Sequence, residues 1–122
     1  MKKFEDIASQ EILSFYREAA IDHGLATNSG DHKRANAAYK KLILALREIR
    51  QRGDEAIKEF MNLLEDCDLS VRLWAATHAL EFKHGVAERT LKMIASGPSS
   101  LQEFSARLVL DEWKSGGMVF PE

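Results

Sequence analysis

The chain has 122 residues, a length typical of one domain that buries about two-thirds of the surface its unfolded form exposes, so we predict a single domain over residues 1–122. The formal net charge of −2 excludes a general electrostatic attraction to nucleic acid or to an anionic membrane. No apolar run approaches the roughly 20 residues of a membrane span, and no apolar signal segment follows Met1. Cys67 is the sole cysteine, so no internal disulfide can form. We therefore expect a cytoplasmic protein.

Apolar residues recur with helical spacing throughout, and only two prolines interrupt the pattern. We predict a first helix over residues 9–24 with Ser9 as its N-cap, followed by a loop at residues 27–30. Asp31 then caps a second helix that runs to residue 52 and ends at Gly53. This second helix has the clearest division into an apolar and a charged side.

Residues 54–65 are predicted to form a third helix with Asp54 as its cap. Asp68 caps a fourth helix, whose stretch to residue 82 is apolar on almost every side. A helix of that kind must be covered by neighbours on more than one side. The rest of the chain is therefore expected to pack around residues 68–82.

A break at residues 83–85 is predicted to separate the fourth helix from a fifth, which stops at Gly97 and Pro98. Ser99 or Ser100 caps a sixth helix that closes at Gly116. This sixth helix carries seven apolar residues: Leu101, Phe104, Ala106, Leu108, Val109, Leu110 and Trp113. The apolar tail after it either folds back or stays loose.

Short connections make successive helices antiparallel neighbours. The fourth helix also aligns weakly with the sixth after a shift of 30 residues and with the second after a shift of 38. Repeats of this period are typical of stacked helical pairs. We therefore predict an all-α fold, an α–α superhelix of three antiparallel helical pairs.

Specific residues strengthen this prediction by resemblance. The pattern Asp68-x-x-Val71-Arg72-x-x-Ala75-Ala76-x-x-Ala79-Leu80 resembles the second helix of a HEAT repeat. Three longer strings, at residues 71–82, 105–116 and 29–36, are similar to a bacterial family of small HEAT-like proteins known only as domain of unknown function number two thousand and nineteen. The resemblance spans residues 8–116 and departs at His84 and Gly85, where a proline would be expected. It implies the superhelical fold and a bacterial source, but no activity or cofactor.

Catalytic and metal sites are not indicated, so we predict that the protein is not an enzyme and needs no cofactor. The four histidines are scattered, and none has the i, i+4 partner and adjacent acid of a helical zinc site. Cys67 lies between Asp66 and Asp68, and negative neighbours disfavour the reactive thiolate. The acids near residue 65 are interpreted as a solvated helix junction.

The second helix offers the main alternative function, binding or acting on nucleic acid. It carries seven basic residues that could contact phosphates: Lys33, Arg34, Lys40, Lys41, Arg47, Arg50 and Arg52. A charged run on an amphipathic helix is more often its solvated face, so this function ranks second.

The fourth helix contains two conspicuous residues. Arg72 lies within the apolar side and needs a partner, because an unpaired buried guanidinium is very costly; we predict a structural contact with Asp68, one turn earlier. Trp74 lies at the polar margin, where it is either a protein-binding hot spot or packed over neighbouring helices. The sequence leaves these two interpretations of Trp74 open.

We therefore expect a non-enzymatic protein-binding module whose second, fourth and sixth helices present one face. The predicted partner-binding residues are the solvent positions of that face: Lys40, Arg47, Trp74, Thr77, His78, Glu81, Arg107, Asp111 and Lys114. Because small HEAT-like proteins recur as immunity proteins, the leading hypothesis is an immunity or inhibitor protein that neutralises a bacterial toxin encoded nearby. A homodimer formed through the same face is a third alternative.

Overall fold

The computed structural model describes residues 7–98 and 100–121, and within them the chain forms six α-helices, one short 3-10 helix and no strand. In chain order these are α1 (Ser9–Ser29), α2 (His32–Arg52), α3 (Asp54–Met61), the 3-10 helix (Asn62–Glu65), α4 (Leu69–Ala79), α5 (His84–Ala95) and α6 (Leu101–Ser115). The predicted all-α class is confirmed. The chain divides into two compact units, and the boundary along the sequence lies between Asn62 and Leu63. The part before it is called unit 1 and the part after it unit 2. The single domain and the superhelix stay predictions.

Helix α1 is longer than its apolar spacing predicted, and the loop predicted at residues 27–30 is wrong. The hydroxyl of Ser29 donates to the carbonyl oxygen of Ala26 at 3.1 Å, and the Thr27 hydroxyl lies 3.4 Å from His23 Nδ1. These polar side chains bond back onto the preceding turn, so the helix continues until Gly30, whose φ of 76° ends it.

Helices α1 and α2 pack against each other in unit 1, and α3 packs on α2. The fully buried rings of Tyr16 and Phe60 meet edge to face, with their centroids 5.1 Å apart and an interplanar angle of 88°. Burial raises the pKa of Tyr16 well above its ordinary value, so its hydroxyl stays protonated. This aromatic pair joins α1 to α3 at the centre of the unit.

The N-caps are mostly where the sequence placed them. Three predicted caps accept a hydrogen bond from the backbone N–H of the residue three positions later: Asp31, Asp68 and Ser100. Two predicted caps are wrong. Ser9 is the first helical residue of α1, with Ala8 at the N-cap, and Asp54 is the first residue of α3, with Gly53 at the cap.

Helix α4 is the buried helix of unit 2, as its composition predicted, and both α5 and α6 pack against it. It ends at Ala79, and the backbone N–H of Lys83 returns to the Ala79 carbonyl at 2.8 Å. The predicted break between the fourth and fifth helices is present, but it lies at residues 80–83 and not at 83–85, because His84 and Gly85 form the first turn of α5. A β-carbon added to Gly85 would meet nothing within 4 Å, so the packing around this position does not require a glycine.

The tail after α6 folds back onto that helix. Gly116 adopts a φ of 78° and caps α6, and the Phe120 ring then lies 6.2 Å from the Trp113 ring, centroid to centroid. Trp113 Nε1 donates a hydrogen bond to Glu88 of α5. Of the two alternatives for the tail, the folded-back one is therefore observed.

Candidate functional site

Two residues of the predicted partner-binding face are not at the surface. Thr77 is 9% exposed and His78 is 2% exposed, so their assignment to the recognition surface is wrong. The Thr77 hydroxyl donates to the carbonyl oxygen of Leu73 at 2.7 Å, which satisfies it within α4. The His78 ring lies 5.4 Å from the Trp74 ring, centroid to centroid. Of the four predicted partner-binding residues between positions 74 and 81, two are therefore buried.

Trp74 itself is half-buried, between the two interpretations that the sequence left open. Its ring lies beside the His78 ring, with an interplanar angle of 42°, and the residue as a whole is partly exposed. Glu81 lies beyond the end of α4 and is exposed. The partner-binding role of these two residues stays a prediction.

The predicted residues of α6 share one exposed side of that helix, because Arg107, Asp111 and Lys114 are spaced at i, i+4 and i+7. Arg107 also holds two helices together, since its Nε and one terminal nitrogen donate to the carbonyl oxygen of Ala95, at 3.3 and 3.2 Å. Those two bonds satisfy the last carbonyl of α5 and hold α6 against it. Arg107 thus contributes to the packing of the fold, whereas within residues 7–98 and 100–121 the side chains of Asp111 and Lys114 make no hydrogen bond to another helix.

On α2, the predicted residues Lys40 and Arg47 are exposed and lie two turns apart on the same side. Elsewhere on this helix, two of its cations pair with carboxylates within unit 1. Arg34 Nε donates to Asp22 Oδ1 at 2.7 Å, and Arg52 Nε donates to Glu48 at 3.1 Å. The charge available for phosphate contacts is therefore smaller than the sequence suggests.

The predicted contact between Asp68 and Arg72 is wrong. The Asp68 carboxylate accepts the Val71 backbone N–H at 3.0 Å, as an N-cap does. Arg72 Nε is buried and has no hydrogen-bond partner in the described part of the chain. A helix start competes for the same carboxylate, and here the cap prevails.

An apolar face on the outside of α6 was not among the sites predicted from the sequence. Leu101, Phe104 and Leu108 are 51%, 57% and 48% exposed. At 100° per residue they lie opposite the buried Ala106 and Leu110. The side chains that α6 buries beside those two include the polar Gln102 and Glu103. The i, i+3, i+7 spacing of the three exposed residues was visible in the sequence, but it was not singled out there as a surface.

Acidic residues continue this apolar face toward the end of α6. Asp111 and Glu112 follow Leu108 at i+3 and i+4, and both are exposed. The face thus reads as three apolar side chains and then two carboxylates, which we call the α6 outer face. It is defined by Leu101, Phe104, Leu108, Asp111 and Glu112.

Comparison with known proteins gives a family and a fold. Residues 10–113 match the family described as Domain of unknown function (DUF2019), which confirms the predicted resemblance. The crystal structure of the protein RPA1889 from Rhodopseudomonas palustris CGA009 superposes with a TM-score of 0.87, covering 98% of both chains at 19% identity. No curated protein matches the chain. Among the described helices, none is both long enough and apolar enough to cross a membrane.

Proposed function

We propose that this chain, which belongs to the family described as Domain of unknown function (DUF2019), is a non-enzymatic module that binds another protein. The observation that supports this is the α6 outer face. Three large apolar side chains, each about half exposed, lie together on one side of one helix. Scattered exposed leucines are ordinary, but a contiguous apolar stripe with a polar end is typical of a protein-binding surface.

The chemistry of the face defines its partner. Anchors spaced at i, i+3 and i+7 match the apolar side of an amphipathic helix laid alongside α6. Asp111 and Glu112 at one end favour lysine or arginine at the corresponding end of that partner helix, which fixes its direction. The proposed partner segment is therefore an amphipathic helix with three apolar anchors and a basic end.

The proposed biological role is immunity or inhibition, in which tight one-to-one binding neutralises a cognate bacterial toxin by occupying its active site or blocking its contact with its target. The recurrence of small HEAT-like proteins in that role supports it at the level of fold alone. This role predicts a partner encoded beside this chain, toxic when expressed alone and harmless when both are expressed together.

The test is to co-express the chain with the products of its neighbouring reading frames, and to measure the affinity of any complex by isothermal titration calorimetry. Phe104→Ser should weaken binding at least about tenfold, because covering the exposed half of a phenylalanine contributes about 1–2 kcal/mol. Leu101→Ser should weaken it in the same direction.

Leu44→Ser is the matched control, because Leu44 lies on α2 and is 51% exposed, the same fraction as Leu101. Equal affinity of the Phe104→Ser, Leu101→Ser and unsubstituted proteins would refute the α6 outer face as the binding site. Loss of binding in Leu44→Ser alone would move the site to α2. A stable dimer of this chain that Phe104→Ser dissociates would identify the partner as a second copy.

The second candidate function, nucleic-acid binding, rests on the basic side of α2. Lys33, Lys40 and Lys41 are exposed there. Affinity for random double-stranded DNA that falls steeply with salt, and falls again when these three lysines are replaced by glutamine, would favour it. Salt-independent binding to a protein partner would favour the α6 outer face.

A further inference from the structure

Unit 2 contains a cavity of about 480 Å³ that the proposed protein-binding function does not use. It is lined by residues of the 3-10 helix and of α4, α5 and α6. Its apolar wall includes Leu69, Met93 and Ile94, and its polar groups come from Glu65, Arg72, Thr90 and Glu103. A volume in this range, with mostly apolar walls and a few converging polar groups, is typical of small-molecule sites.

Two of the polar groups carry atoms that the protein leaves unmatched. Arg72 Nε and Glu103 Oε2 are both buried, and neither has a hydrogen-bond partner within residues 7–98 and 100–121. Glu103 is only 3% exposed, so bulk water does not solvate its carboxylate. Buried polar atoms in folded proteins are nearly always paired, and those that line a cavity are paired by whatever fills it.

The local structure explains why the Glu103 carboxylate is held in the cavity wall. Glu103 is in the first turn of α6, where its backbone N–H bonds to the Ser100 hydroxyl at 3.2 Å and the same hydroxyl lies 3.4 Å from Glu103 Oε1. A β-carbon added to Gly97 would lie 3.4 Å from Oε1, so the glycine leaves room for the carboxylate. One oxygen is thus engaged at the helix start and the other is left for a ligand.

Opposite charges on different helices define the ligand. The Arg72 guanidinium is a donor that suits a carboxylate, and the Glu103 carboxylate is an acceptor that suits an ammonium group. The Thr90 hydroxyl donates to the Val86 carbonyl at 3.1 Å, which leaves its oxygen able to accept a further hydrogen bond. A ligand that carries both a carboxylate and an ammonium group, with an apolar side chain against Met93 and Ile94, provides a partner for both unmatched atoms.

We propose that this cavity binds a small zwitterion with an apolar side chain, namely an apolar α-amino acid. Its carboxylate pairs with Arg72, its ammonium group pairs with Glu103, and its side chain contacts the apolar wall. This binding is independent of the α6 outer face, because the exposed side of α6 lies opposite the side that faces the core.

Isothermal titration calorimetry of the whole chain with L-leucine, L-methionine and L-phenylalanine tests the proposal. We expect saturable binding of at least one of them with a Kd of about 1 mM or below. N-acetyl-L-leucine lacks the ammonium group and L-leucinamide lacks the carboxylate, so each should bind at least about tenfold more weakly than L-leucine.

Arg72→Met and Glu103→Gln remove one charge each with little change of volume, and each should weaken amino-acid binding at least about tenfold. Their matched controls are Arg89→Met on α5 and Glu55→Gln on α3, both exposed and outside the cavity, which should bind as the unsubstituted protein does. Circular dichroism checks that each variant is folded. The panel of free and blocked amino acids on the unsubstituted chain decides the question even if a variant does not fold.

Three results would overturn the proposal. The first is no saturable binding of any of the three amino acids up to about 10 mM. The second is binding of either blocked derivative as tightly as L-leucine, and the third is undiminished binding by folded Arg72→Met and Glu103→Gln. None of them bears on protein binding through the α6 outer face, which Phe104→Ser tests separately.

Discussion

Replacing Asp68 separates its role as a helix cap from the ion pair with Arg72 that the sequence suggested. The Asp68 carboxylate accepts the Val71 N–H at 3.0 Å, and an asparagine side chain offers an oxygen in the same place. Asparagine and aspartate are equally good N-caps, whereas alanine at an N-cap costs about 1 kcal/mol. We therefore expect Asp68→Ala to lose about 1 kcal/mol of unfolding free energy and Asp68→Asn to lose less than about 0.5 kcal/mol, the remainder being the interaction of the charge with the helix dipole.

Urea unfolding followed by tryptophan fluorescence measures the difference in unfolding free energy between these two variants in the unit that contains α4. Both tryptophans, Trp74 and Trp113, lie in unit 2, so their emission reports the unit that contains α4. Asp111→Ala is the control, an exposed aspartate in a helix interior, and it should change stability by less than about 0.5 kcal/mol. If Asp68→Asn is as destabilising as Asp68→Ala, the charge itself matters, and the assignment of Asp68 as a cap without an ion pair is refuted.

Three further predictions concern unit 1 and Trp74. Burial lowers the pKa of His23, so the unfolded chain binds a proton there more readily than the folded protein does. Stability should therefore fall as the pH drops from about 7 to 5, and His23→Gln should lessen that decline in urea midpoints measured across the range. The hydrogen bond from Arg34 lowers the pKa of Asp22 below the ordinary pKa of an aspartate. The pair therefore stabilises the fold at pH values above that ordinary pKa, and this stability is lost as the pH falls through the lowered pKa. Asp22→Asn should reduce this loss of stability in acid, but only slightly, because both side chains are exposed. Trp74→Ala should weaken partner binding if Trp74 is a hot spot, and a folded Trp74→Ala protein that still protects cells from its partner would exclude that role.

Features set by a few neighbouring residues were predictable from the sequence. The caps at Asp31, Asp68 and Ser100 are correct because each depends on one side chain and a backbone N–H three residues away. The buried character of α4 is correct because apolar residues occupy almost its whole circumference. The all-α class follows from helical spacing maintained along the chain.

The helix boundaries that were predicted wrongly lie where the same residues can adopt either a helical or a loop conformation. The Thr27 and Ser29 hydroxyls favour loops in general, but in α1 they bond back onto the preceding turn and extend the helix. A glycine in the interior of a helix is destabilising. Gly85 costs little because it lies in the first turn of α5, where the backbone N–H groups have no helical partner in any case. Composition alone does not distinguish these outcomes.

Which side chains reach the surface was the hardest part to predict, for two physical reasons. Helix α6 has apolar residues on opposite sides, and spacing cannot tell which side packs, so that Leu110 is buried while Phe104 is exposed. The polar residues of α4 showed the converse error, since Thr77 satisfies its hydroxyl within its own helix and needs no solvent. Arg72 and Glu103, which each have a buried atom without a hydrogen-bond partner, are 31 positions apart in sequence. Only the fold of unit 2 brings both to one cavity.

The burial of α4 and the exposure of α6 give the two helices different roles. Side chains of α4 and its C-terminal end such as Val71, Ala75 and Leu80 are at most 2% exposed, so a change there alters packing before it can alter any contact with a partner. Side chains on the outer face of α6 are about half exposed, so a change there removes contact area from a partner at a small cost to the fold. Under the proposed function, a substitution that abolishes binding without lowering the unfolding free energy is then expected at an exposed position, such as those of the α6 outer face, and not at a buried position of α4. The buried residues of α4 are the scaffold in this proposal, and recognition is assigned to the α6 outer face.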